Sequence, residues 1–136
     1  MTLQVTLAAM VLLALDGASV SRPASLDTKD VYRWLSARVN QRVCVSDKIN
    51  GTMGYIWLKY RLPEGEDLGV YSSHIRTDIS QRKSIALGYD VGMKVIVCGK
   101  LLKEPNVGSY FDPDPRKRNY LLKHAFIVAD QRRGTH

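Results

Sequence analysis

The chain has 136 residues, 45% of them hydrophobic and 24% charged, enough for one compact domain with a modest core and too few for a second domain of ordinary size. Its formal net charge of +7 favours phosphate-rich or otherwise acidic partners through bulk attraction. Two cysteines exclude a disulfide scaffold, and their spacing excludes a zinc site.

Residues 5–15, VTLAAMVLLAL, are too short to span a membrane, so no integral membrane span is expected; the length suits the apolar core of a signal peptide. Gly17, Ala18, Ser19 and Ser21 supply small residues for cleavage, whereas Asp16 and the lack of a preceding cation speak against it. Residues 1–21 are therefore read as a signal peptide or as a buried helix. Retention implies an intracellular protein, and cleavage a secreted or periplasmic one.

Pro23 marks a boundary, and the domain is placed at 22–130. Within it, residues 26–40 predict an amphipathic helix, because Val31, Trp34, Leu35 and Val39 recur at helical spacing with Asp27 or Thr28 as N-cap. Trp34 lies on the apolar stripe and reads as a packing residue. A partner subunit or a second copy could dock through this helix or through the apolar N-terminus.

Residues 42–62, RVCVSDKINGTMGYIWLKYRL, predict two strands folded back at Asn50-Gly51, the strongest short-range hairpin signal. Alternation puts Ile56, Leu58, Tyr60 and Leu62 on a core-like face and Tyr55, Trp57, Lys59 and Arg61 on the other. A polar turn at 63–67 leads to a third strand at 68–75. A short helix follows at 77–87, capped by Thr77 or Asp78, carrying Ile79, Ala86 and Leu87 on one side and ending at Gly88. Residues 93–102, MKVIVCGKLL, form the most strand-like run, with Gly99 marking a bend or bulge. The last strand is 120–129. The intervening 103–119 connection holds three prolines and a glycine, and long connections of this kind are often binding loops. Residues 131–136 read as a frayed basic tail.

The predicted strands thus run 42–49, 53–62, 68–75, 93–102 and 120–129, with one helix between the third and fourth. Gly92-Met93-Lys94-Val95-Ile96-Val97-Cys98-Gly99-Lys100-Leu101 resembles the G-x-x-V-x-V-x-G-x-L entry to the fourth strand of many OB-fold domains. The expected fold class is therefore mainly β: a five-stranded OB-like Greek-key barrel with an N-terminal amphipathic helix and a short helix between strands 3 and 4. An α+β sheet of other topology or an SH3-like barrel is the competing arrangement.

The OB resemblance implies oligonucleotide or oligosaccharide binding on the face of strands 2 and 3 and in the loops joining strands 1–2 and 4–5. Tyr55, Trp57 and Tyr71 would stack bases there, and Lys59, Arg61 and Arg76 would meet phosphates. The plainer explanation is that these rings are cross-strand pairs stiffening a half-buried sheet. In the loop, Tyr110 and Phe111 precede Arg116, Lys117 and Arg118, again rings beside cations; the plainer alternative there is a solvated loop whose cations balance Asp112 and Asp114.

Enzyme chemistry is not expected. His74, His124 and His136 lack metal-ligand spacing, and no P-loop, dinucleotide fingerprint, H-E-x-x-H or G-x-S-x-G occurs; no metal and no cofactor is expected. Asn50-Gly51-Thr52 matches a glycosylation sequon, which matters only in a eukaryotic secretory setting. Two functions follow as expectations. One is a non-enzymatic module binding single-stranded DNA or RNA within a larger assembly. The other is an exported domain with a Cys44–Cys98 bridge that recognises protein or glycan.

Overall fold

The computed structural model describes residues 23–62, 73–104 and 119–130. The expected segment 1–21, the 63–67 turn and the 131–136 tail lie outside the described residues. The described chain is mainly β: one six-stranded sheet curled into a half-barrel, with two short helices. In chain order the elements are β1 (Ala24–Ser25), α1 (Val31–Ser36), β2 (Arg42–Lys48), β3 (Tyr55–Lys59), β4 (His74–Ser80), α2 (Gln81–Leu87), β5 (Lys94–Lys103) and β6 (Tyr120–Asp130). The strand order is β1-β2-β5-β6-β4-β3. β4 runs parallel to β6 and β1 parallel to β2, while β2–β5, β5–β6 and β3–β4 are antiparallel.

The sixth strand, absent from the five expected, is β1. Two residues carry no periodicity to read; Ala24 and Ser25 extend because they lie along the edge of β2, opposite Val45 and Ser46. The Leu26 N–H then donates to Ser46 O at 3.2 Å, and the Leu26 side chain is fully buried.

The 26–40 helix contracts to Val31–Ser36. Residues 25–30 instead form turns that bring Leu26 into the core, and Asp30 is the N-cap without a side-chain cap bond. At the other end the chain is captured by β5: the Asn40 N–H donates to Leu101 O at 2.6 Å and the Leu101 N–H to Gln41 O at 2.9 Å. Val31 and Leu35 are buried, and Trp34 packs half-buried against the core.

The Asn50-Gly51 hairpin is replaced by a looser return. β2 forms a seven-residue ladder with β5, from Arg42↔Lys100 to Lys48↔Lys94, and β3 pairs with β4. Between the expected hairpin arms one bridge persists, Gly51↔Trp57, with the Trp57 N–H donating to Gly51 O at 2.9 Å. The reason lies on the second edge of β2: β5 holds one edge, and β1 takes Val45 and Ser46 on the other, so β3 finds its ladder on β4. Buried Ile49 exchanges backbone hydrogen bonds with Met93 and Gly92 just before β5, and the left-handed residue of the return is Gly54, at φ 76°.

The expected third strand is described only from His74, and it continues to Ser80, through residues expected in the helix. Thr77 is buried within it, donating to Ile56 O at 3.0 Å and accepting the Ile79 N–H at 3.1 Å. The cap of α2 is therefore Ser80, whose Oγ accepts the Lys83 N–H at 3.1 Å, and Gly88 ends the helix at φ 80°. Only Ser84 of α2 is buried; the side expected to carry Ile79, Ala86 and Leu87 does not form, because Ile79 is buried in β4 while Ala86 and Leu87 are exposed.

The core fills the curl. Ile56, Leu58, Tyr60, Ile75, Val97 and Leu122 are fully buried, each contributing about 1.5–3 kcal/mol by removal from water. Gly99 is the bend expected in β5: a Cβ there would lie 3.0 Å from Lys123 O and 3.2 Å from Ala125 Cα. The β5–β6 register shifts at this point. Asp78 of β4 holds the irregular part of β6, its carboxylate accepting the His124 and Ala125 N–H groups at 2.6 and 2.8 Å, with His124 at φ 56°.

Candidate nucleic-acid interface

The alternation of β3 sets the site. Ile56 and Leu58 are fully buried, which turns Tyr55, Trp57 and Lys59 to the outside of the half-barrel. Tyr55 is 38% exposed and Trp57 half-buried. The β4 register then places Arg76 opposite Trp57 and His74 opposite Lys59.

The rings engage their neighbours across the strands. Trp57 and His74 lie tilted with centroids 4.6 Å apart, and the Arg76 guanidinium sits 5.0 Å from the Tyr55 centroid. The Trp57 indole N–H donates to Met53 O at 3.0 Å, fixing one edge of the ring. Further across the sheet, Arg76 pairs with Leu121 and Leu121 with Leu102, both half-buried. One row of the face therefore reads Trp57, Arg76, Leu121, Leu102: an aromatic ring, a cation and two aliphatic side chains.

Arg76 and Arg61 each hold a carboxylate. Arg76 Nη2 lies 2.7 Å from Glu104 Oε2, and this hydrogen bond raises the guanidinium pKa above its ordinary value. Arg61 Nη1 lies 3.1 Å from Asp27 Oδ1, with both side chains largely exposed. The Arg61 N–H also donates to Leu26 O, so this residue is tied to the segment after β1. Asp47, half-buried near the same pair, has its carboxyl pKa raised by desolvation, which the Lys48 N–H and Arg61 partly offset.

Of the residues singled out in the sequence, Tyr55, Trp57, Lys59 and Arg76 fall on the β3–β4 surface, with Arg61 beside it. Tyr71, Tyr110, Phe111, Arg116, Lys117 and Arg118 lie outside the described residues. Cys44 and Cys98 stand opposite each other in the β2–β5 ladder and are joined by a disulfide, with Cα atoms 4.0 Å apart. His74, Glu104, Leu102 and Leu121 were not anticipated. Only the strand register brings them to this face, and no local motif marks them.

Among the described residues no group of three or more His, Cys, Asp or Glu could hold a metal ion, and no helix is long and apolar enough to cross a membrane. Comparison of the chain with protein-family models, curated proteins and solved structures gives no match. The functional reading therefore rests on the geometry of this face.

Proposed function

We propose that this is an OB-type, non-enzymatic binding module that takes single-stranded nucleic acid on the outer face of β3 and β4. The fold part of this reading is supported by the order β2-β5-β6-β4-β3, the parallel β4–β6 pair and a helix between β4 and β5. The ligand part is carried by one observation: Tyr55 and Trp57 lie outside the barrel, each against a ring or cation of β4. A base slides onto such a surface without sequence-specific hydrogen bonds, because every base offers a π-face. Lys59, Arg76 and the excess of positive charge supply attraction to the backbone phosphates.

The test is fluorescence anisotropy of labelled oligothymidylate and oligouridylate at several salt concentrations. Binding should weaken steeply as salt rises, and Trp57→Ala should weaken it about 5- to 150-fold, the equivalent of one lost stacking contact. Salt-insensitive binding, or none to either polymer, refutes the proposal.

The Cys44–Cys98 disulfide favours a second reading, an exported domain recognising protein or glycan, because such bonds persist in oxidising compartments. The sequon residue Asn50 is exposed, and its N–H donates to Trp57 O at 2.8 Å. The intact mass of protein made in its native host decides between the two: loss of about twenty residues with a bridge supports export, and a retained Met1 with two thiols opposes it.

A further inference from the structure

The row Trp57, Arg76, Leu121, Leu102 does not end the outer face. Two residues along β5 and β6, on the same side by strand alternation, stand Lys100 and Lys123, paired directly with each other. Lys100 is paired on its other side with Arg42 of β2. Three cations thus lie abreast on three neighbouring strands, at steps of about 4.8 Å, the spacing of strands in any sheet. All three are exposed. Among the described residues none has a carboxylate within salt-bridge distance. The carboxylate that β4 brings to this neighbourhood, Asp78, is occupied by the His124 and Ala125 N–H groups. Beside the row Phe126 is 42% exposed, with the Arg42 guanidinium 5.9 Å from its centroid.

Like charges directly opposite each other destabilise a sheet, and here the middle lysine faces a cation on both sides. Folding alone gives no reason for this placement, whereas a polyanion lying across the strands does. We propose that Arg42, Lys100 and Lys123, with Phe126 at their side, form a second subsite that carries the phosphodiester backbone of a bound single strand from the Tyr55–Trp57 face across β6 and β5 to β2. The inference rests on the nucleic-acid reading above and extends it in space. The row offers cations and no acceptor for a base edge, so it reads charge and not sequence.

The experiment uses the full chain and oligothymidylates of about 4 and about 16 nucleotides, the range of site sizes for one OB domain. The variant is Arg42→Gln with Lys100→Gln and Lys123→Gln. A control triple, Lys29→Gln with Arg82→Gln and Lys83→Gln, removes the same charge from exposed positions elsewhere. For the long oligonucleotide, the slope of log K against log salt should become shallower by about 2 in the row variant, from three contacts at about 0.7 each, with the slope for the short one unchanged. The control should keep the parent's slope with both lengths. Thermal melting checks the fold, and the row variant should melt no lower than the parent because it relieves repulsion.

An unchanged slope with the long oligonucleotide, or an equal loss in the control, overturns the subsite. The two proposals separate cleanly. If Trp57→Ala weakens the short oligonucleotide while the row variant keeps the parent's slope, only the second subsite fails. If the row variant alone has an effect and Trp57→Ala has none, the aromatic face fails, and with it the path proposed from that face. Absence of binding to both lengths removes both.

Discussion

Glu104→Gln is expected to move stability and affinity in opposite directions. The Glu104 carboxylate is 2.7 Å from Arg76 Nη2, and the two side chains are 26% and 28% exposed. A fully exposed pair contributes about 0.2–1 kcal/mol, and breaking a buried one costs about 3–5 kcal/mol. A pair one-quarter exposed, with Gln still able to accept a hydrogen bond, should cost about 1 kcal/mol, or about 3–6 °C in melting temperature for a domain of this size. Arg76 would meanwhile keep its place over Tyr55 and lose its competing anion. One additional phosphate contact steepens the single-strand salt slope by about 0.7. At low salt the affinity should rise about five-fold, from about 1 kcal/mol of new charge-assisted bonding. Differential scanning calorimetry and anisotropy titrations at several salt concentrations read both effects. A lower melting temperature with affinity and slope unchanged would refute the placement of Arg76 against a phosphate. An unchanged melting temperature would refute the ion pair.

Two further outcomes follow from groups away from the face. The Cys44–Cys98 bridge closes a loop with a sequence separation of 54, so chain-entropy reasoning assigns it about 4 kcal/mol. Urea unfolding with and without reductant should therefore give clearly separated midpoints, and coincident midpoints would contradict the bridge. Burial raises the Asp47 carboxyl above the ordinary aspartate value, so the folded state holds this proton more tightly than the unfolded state, and stability falls as pH rises through that window. Asp47→Asn should be more stable than the parent at about pH 7 and equal to it at about pH 3, where both states of the parent are protonated. Destabilisation by the substitution at neutral pH would show that the Lys48 N–H and Arg61 outweigh desolvation.

The parts of the fold legible in the sequence were those decided by a residue's immediate neighbours. The inward set Ile56, Leu58, Tyr60 and Leu62 followed from alternation alone, and all four are buried. Gly88 and Gly99 announced a helix end and a bend because few other residues fit there. The Asn50-Gly51 signal misleads because a local turn preference cannot register that β1 takes the edge of β2 that a hairpin partner would use. Periodicity extends the helix to 26–40 because it cannot register that Asn40 and Gln41 bond to Leu101, about sixty residues away. At the site, which side of β3 faced outward was readable. Its ion pairs were not, since Glu104 is 28 residues from Arg76 and Asp27 is 34 residues from Arg61. Only the folded register brings such pairs together. The cation row has the same origin: Arg42, Lys100 and Lys123 are unremarkable apart and become a feature only when β5 seats itself between β2 and β6.

The central claim is that a single strand lies against Trp57, and the emission of that ring tests it most directly. Trp34 is the other tryptophan and packs half-buried against the core, so Trp34→Phe isolates the Trp57 signal. Addition of oligothymidylate should quench this emission, and added salt should restore it as the complex dissociates. Emission that stays constant while anisotropy reports a bound oligonucleotide would place the ligand elsewhere and contradict the account.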